Sequence, residues 1–193
     1  TLGERYGVSV CTEVPPGKRI DAAVGRIVVP IIMDGRQVSW QARRPEDWGK
    51  KDHMKYFFLP GTNRRLLLYN FDRAKQFPFV IVTEGVTNVW TIGDCSIATF
   101  GKAITPQQSH LIQRHWKTVI LALDDDAIEQ SKAYLRNLEQ AGVRCIYMEM
   151  PPGQDPASMG ATQFWDLLYW TCVKHNLNLE ELLRSNGPGV LAT

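Results

Sequence analysis

The chain has 193 residues, 44% hydrophobic and 22% charged, ordinary proportions for a soluble globular protein of one large domain or two small ones. No apolar run approaches the roughly 20 residues that a membrane-spanning helix needs. The formal net charge of +2 conceals an asymmetry: residues 26–75 hold eleven Lys/Arg and five Asp/Glu, a balance of +6, which leaves −4 elsewhere. A basic half suits a polyanion and an acidic half suits bound cations, although an unevenly charged, solvated surface reads equally well from composition alone. Cys11, Cys95, Cys145 and Cys172 are scattered, with no Cys-x-x-Cys pair, which argues against a zinc ribbon within these residues. The start at Thr1, without Met or a basic-then-apolar leader, reads as a piece cut from a longer protein with no secretion signal.

In chain order, Arg26–Met33 reads as a strand, Asp34-Gly35 as a tight hairpin turn and Gln37–Arg43 as the returning strand. A polar, basic loop over residues 44–55 leads into Tyr56-Phe57-Phe58-Leu59, and Leu66–Tyr69 is another short apolar piece. From Phe79 the rhythm changes. Phe79–Thr83, Ser96–Phe100, Thr118–Leu123 and Arg144–Met150 read as strands. Thr105–Trp116 and Ala127–Gln140 read as helices, the first opened by a capping Thr and a first-turn Pro. A Pro-Pro-Gly-Gln-Asp-Pro loop precedes an apolar, Trp-rich helix over Ala161–His175, expected to pack on the sheet, and the tail holds one short helix. The alternation predicts an α/β fold with a mostly parallel central sheet flanked by helices, preceded by a small α+β subdomain. The expected division is 1–77 for the basic region, 78–160 for the α/β domain and 161–193 for a C-terminal helical segment and linker.

Functional groups of parallel α/β sheets gather at the carboxyl ends of the strands. Three strands lead there to acid: Glu84, the run Asp124-Asp125-Asp126, and Asp155. Carboxylates crowded on one rim repel each other unless a hard cation such as Mg²⁺ neutralises them. Taken singly, each has a plainer reading, the Asp run as a helix cap and Glu84 as a strand-end acid. Three in register on one strand–helix pattern point to metal-assisted phosphoryl or nucleotidyl transfer.

Val-Ile-Val-Thr-Glu84-Gly85, Ser-Ile-Ala-Thr-Phe-Gly101, Val-Ile-Leu-Ala-Leu-Asp124-Asp125-Asp126 and Pro-Pro-Gly-Gln-Asp155-Pro resemble the Toprim domain of primases, topoisomerases and nucleases. Upstream, Gly25-Arg26, Gln41-Ala-Arg43, Lys55-Tyr56, Pro60-Gly61-Thr62 and Leu67-Leu68-Tyr69-Asn70 are similar to the basic subdomain preceding Toprim in DnaG-type DNA primases. The resemblance implies a primase catalytic core, a DNA-directed RNA polymerase that makes short RNA primers on single-stranded DNA from ribonucleoside triphosphates. Glu84, Asp124 and Asp126 then carry the catalysis and, with Asp155, hold Mg²⁺ or Mn²⁺; whether Glu84 is a ligand or a general base stays open. Arg26, Arg43, Lys55, Tyr56 and Arg64 fall to template and nucleotide binding, by counterion release and base stacking. Lys102 reads equally as a phosphate contact or a surface lysine.

The same resemblance implies a cytoplasmic setting in a bacterial cell or phage-infected host. It also implies a replicative helicase partner, separate or fused, and a zinc-binding domain outside these residues. Two positions depart from the pattern: Asn88 and Ala157 stand where primases place further Asp residues. A Toprim nuclease or topoisomerase fragment, or a nucleic-acid binding module whose metal site has decayed, are the competing readings.

Overall fold

The computed structural model describes residues 1–45, 54–101, 104–123 and 136–184. The chain divides between Asn63 and Arg64 into two compact units. In the first, strands β1 (Ser9–Val10), β2 (Ile27–Met33), β3 (Arg36–Arg43) and β4 (Tyr56–Phe58) form an antiparallel sheet in that order. Asp34 and Gly35 join β2 to β3 with φ of 52° and 73°. Two positive φ values give a turn whose twist matches that of the flanking strands, which is why Asp-Gly is legible as a hairpin. A short helix, α1 (Leu2–Tyr6), opens the chain, its Thr1 and Glu4 forming a reciprocal capping box.

In the second unit β5 (Phe79–Thr83), β6 (Ser96–Ala98), β7 (Thr118–Leu121) and β8 (Arg144–Tyr147) form a parallel sheet, in the order β6-β5-β7-β8. Helix α2 (Phe71–Ala74) precedes it, α3 (Val86–Ile92) links β5 to β6, and α4 (Pro106–His115) links β6 to β7. The β5 run Phe-Val-Ile-Val-Thr is buried along its whole length, the mark of a strand covered on both faces. Right-handed crossovers explain the cover: the chain steps one way from β5 to β6 and the other way from β6 to β7, so α3 and α4 lie on opposite faces.

Among the described residues, three further helices follow β8: α5 (Pro156–Met159), α6 (Ala161–Lys174) and α7 (Leu179–Arg184). Phe164, Leu168 and Cys172 of α6 and Leu179 of α7 share one core with Phe79, Ile81, Ile120, Ala122, Ile146 and Met148. The Trp-rich helix therefore packs on the sheet, as expected. Segment 64–77 belongs to this unit, and its Phe77 lies in that same core.

The predicted strands run shorter at their ends. β6 stops at Ala98, and Phe100 turns away with φ 61°. β8 stops at Tyr147. The helix read over Ala127–Gln140 falls mostly outside the described residues; its end, 136–140, is helical. Helix α3 has no counterpart among the predicted elements. Its Val-Thr-Asn-Val-Trp-Thr-Ile sequence is rich in β-branched residues of weak helix propensity, and burial of Val86, Val89 and Ile92 overrides that preference. No described helix is long and apolar enough to cross a membrane.

Candidate functional site

The topology locates the site before any side chain is considered. β5 and β7 are parallel neighbours, Val82 lying opposite Leu121, yet the chain leaves them in opposite directions, to β6 on one side and β8 on the other. Such a switch point opens a crevice beyond the strands' carboxyl ends. Glu84 follows directly on the last residue of β5 and is half-buried. The backbone continues in sheet pairing past β7, with the Ala122 amide donating to the Val82 carbonyl at 2.9 Å, and Leu123 is fully buried. Asp124 and Asp126, the next residues in the chain, lie outside the described residues, as does Lys102.

The end of β5 is cross-tied to its neighbours. The Thr83 carbonyl accepts from the Thr99 amide at 3.0 Å, and the Glu84 carbonyl accepts from the Phe100 amide at 3.0 Å. Asn88, one turn into α3 and only 2% exposed, donates from Nδ2 to the Thr83 hydroxyl at 2.9 Å. Its Oδ1 accepts from the Ala157 amide at 3.2 Å, across 69 residues of sequence. The segment carrying Asp155 is thereby brought to α3, which begins just after Glu84.

Asp155 itself caps α5. Its Oδ1 accepts from the Ser158 amide at 2.7 Å, while the Ser158 hydroxyl reaches back to the Asp155 backbone, with Pro156 at the first helical position. The Asp-Pro pair read as loop is a helix start.

Oxygen donors of this kind suit a hard divalent cation. Among the described residues, no group of three or more His, Cys, Asp or Glu stands close enough to hold a metal ion. Glu84 and Asp155 are two of the four acids expected at the rim, and the other two fall outside the described residues.

The first unit gathers three of the residues predicted to meet nucleic acid. Arg43, at the end of β3, pairs in register with Tyr56 at the start of β4. The Arg43 guanidinium carbon lies 5.9 Å from the Tyr56 ring centroid and the Lys55 ammonium 5.5 Å. Arg44 donates its amide to the Lys55 carbonyl at 3.0 Å, which closes the strand pair around them. Two cations against one ring set an aromatic surface beside positive charge. Lys55 is exposed and Tyr56 half-buried.

Arg26 is placed differently from expectation. It is 1% exposed, and its Nε donates to the Ala22 carbonyl at 2.6 Å and Nη1 to the Met54 carbonyl at 2.8 Å. A guanidinium enclosed in this way ties together the backbone of two segments, through part-buried hydrogen bonds to Ala22 and Met54.

Arg64 is exposed in the second unit, on a short 3₁₀ turn with Arg65 and Leu66. That turn is held from below by Gln108, fully buried at the start of α4. Its Nε2 donates to the carbonyls of Leu67 at 2.8 Å, Thr99 at 3.0 Å and Arg64 at 3.3 Å. Sequence reading did not single out Gln108 or the bridging of Asn88. Each joins segments far apart in the chain, and local spacing carries no trace of that.

Comparison with known proteins agrees with this architecture. Residues 81–159 match the Toprim-like family model. A curated DNA primase of Listeria innocua is 26% identical over 188 residues, covering 86% of this chain and 30% of its own length. The chain thus spans about a third of the curated relatives it matches. Among solved structures, the zinc-binding and RNA polymerase domains of the Aquifex aeolicus primase superpose with a TM-score of 0.71 at 21% identity, over 95% of this chain and 57% of that one. A DnaG primase catalytic domain bound to single-stranded DNA gives a TM-score of 0.67 at 20% identity, over 88% of this chain and 69% of that one. The resemblance to DnaG-type primase cores carried by the motifs is met by a Toprim domain and by the fold.

Proposed function

We propose that this chain, with the Toprim domain and fold of DnaG-type primase cores, is a nucleotidyltransferase that makes short RNA primers on single-stranded DNA. The observation that carries the reading is the switch point between β5 and β7: Glu84 directly follows β5, and the buried Leu123, just past β7, directly precedes the Asp124–Asp126 run in the sequence. Acids gathered at that crevice would suit a site for triphosphates and divalent cations.

Glu84, Asp124, Asp126 and Asp155 would hold Mg²⁺ or Mn²⁺. The bound cation would neutralise charge at the α-phosphate and lower the pKa of the attacking hydroxyl. The 3′-hydroxyl of one ribonucleotide attacks the α-phosphorus of the next, forming a phosphodiester and releasing pyrophosphate. Glu84 either ligates the cation or takes the hydroxyl proton. Arg43, Lys55 and Tyr56 hold the template, the cations on phosphates and the ring against a base. Arg64 and Lys102 would meet phosphates. Arg26 is assigned the inner support of the first unit. A primase of this kind acts in the cytoplasm with a replicative helicase and a zinc-binding domain that helps choose the start site.

The test is primer formation from labelled ribonucleotides on a single-stranded template with Mg²⁺ or Mn²⁺. Products that need both template and metal support the reading. Cleavage of the template in place of synthesis would favour a Toprim nuclease, and template binding without either reaction a non-catalytic module.

A further inference from the structure

Asn88 holds a position that the proposed chemistry does not use, and its surroundings are specific. The side chain is 2% exposed, and both ends of its carboxamide are engaged. Nδ2 donates to the Thr83 hydroxyl, on the residue that precedes Glu84. Oδ1 accepts from the amide of Ala157, two residues past Asp155. Pro156 has no amide hydrogen, so Ala157 offers the first backbone donor after Asp155, and Asn88 takes it. The Asp155 carboxylate is meanwhile fixed by its own cap on Ser158. Glu84 and Asp155 are therefore joined through one buried side chain: Glu84 to Thr83 by the backbone, Thr83 to Asn88 and Asn88 to Ala157 by hydrogen bonds, and Ala157 to Asp155 through Pro156.

We infer that Asn88 is a positioning residue, a neutral brace that sets the Asp155 turn against the end of β5 and so fixes the spacing of the two acids before any ion arrives. The donor matters as much as the acceptor. A carboxylate, which primases place here, would retain an acceptor for Ala157 but lose the amide donor to the Thr83 hydroxyl. The carboxamide makes both bonds and adds no charge. Asparagine is also short: a glutamine would move the amide group outward by one methylene and cannot close both bonds in the same place.

The inference rests on the metal-site reading, so the test separates the two. Two measurements are made on wild type, Asn88→Ala, Asn88→Gln, Asn88→Asp and Thr83→Val, with urea unfolding to verify that each folds. The first is hydrogen exchange at the Ala157 amide without metal. The second is Mn²⁺ binding, followed by the paramagnetic resonance signal of the free ion. We expect Asn88→Ala and Asn88→Gln to speed Ala157 exchange at least tenfold and to weaken Mn²⁺ binding about tenfold. Asn88→Asp should keep the amide protected, since its oxygen still accepts. Thr83→Val, which removes one of the two bonds and preserves the β-branched shape, should fall between wild type and Asn88→Ala and keeps the test alive if Asn88→Ala does not fold. Unchanged exchange in Asn88→Ala overturns the brace whatever the metal does. Faster exchange with undiminished Mn²⁺ affinity overturns its role in setting the acids. If wild type binds no Mn²⁺, the metal-site reading fails and the positioning role fails with it, while the exchange data still decide whether the brace exists.

Discussion

At the scale of single residues, the groups chosen from sequence divide by what surrounds them. Arg43, 9% exposed, and Lys55, on the surface, converge on the Tyr56 ring. Arg26, a cation of the same region, is enclosed by backbone carbonyls. Sequence spacing does not distinguish them, because burial of a guanidinium depends on loops that cross it, here the stretch around Ala22 and Met54. Their substitutions should differ accordingly. Arg43→Ala or Lys55→Ala should weaken single-stranded DNA binding and flatten its salt dependence, each lost phosphate contact lowering the log–log slope by about 0.7. Tyr56→Ala should cost about 1–3 kcal/mol of affinity with the slope unchanged, since stacking releases no counterion. Arg26→Ala should lower the urea midpoint of the protein by removing two part-buried hydrogen bonds, about 1 kcal/mol each, together with the packing of the buried guanidinium. Binding titrations at several salt concentrations, beside urea melts, read all four.

Thiol chemistry belongs to the same scale. Burial, with a smaller contribution from the Glu139 charge, pushes the Cys145 thiol up to about 12. Burial likewise pushes the Cys172 thiol up to about 11, partly offset by the positive charge of Arg144. Both thiols stay protonated in the folded protein at pH values where an unfolded chain ionises them. The stability they contribute is therefore complete below about pH 8.5, the ordinary range of a free thiol, and is lost as pH rises toward 11 and 12. Urea midpoints measured from pH 8 to 10.5 should fall with pH, and less steeply in Cys145→Ser. A midpoint that rises over this range contradicts the assignment.

At the scale of elements, legibility followed how much of each signal was local. The β2–β3 hairpin announces itself through Asp34-Gly35, and β5 and β7 through unbroken apolar runs. Helix α3 hides behind β-branched residues and is held by contacts that only the folded chain supplies, whereas α5 carries a local start signal in Asp155, Pro156 and Ser158 that reads equally as a turn. Helix α6 shows the two sides of one element. Phe164 is fully buried against the sheet, whereas Trp170 is 67% exposed. Phe164→Ala should cost about 3–5 kcal/mol of stability, the range for truncating a buried aromatic. Trp170→Ala should stay within about 0.5 kcal/mol, the range for a surface change. Equal effects in a urea melt would mean that the helix is oriented otherwise.

At the scale of the whole molecule, the fold class and the order of the parallel strands' motifs were readable because alternation of strand and helix is a long-range rhythm written in local patterns. The division of the chain after Asn63 was not, since Leu67-Leu68-Tyr69 reads alike whether it ends one unit or begins the next. The acid rim was inferred from strand ends alone; the parallel pairing of β5 with β7 sets side by side the strands that precede Glu84 and Asp124 in the sequence. The central claim is that this edge holds a divalent ion. The most direct measurement is the anomalous scattering of Mn²⁺ in crystals soaked to saturation. The account predicts a peak within coordination distance, about 2.0–2.2 Å, of carboxylate oxygens from Asp124 or Asp126, with Glu84 or Asp155 in the same cluster. A map without a peak at the carboxyl ends of β5 and β7 under saturating Mn²⁺ would contradict it.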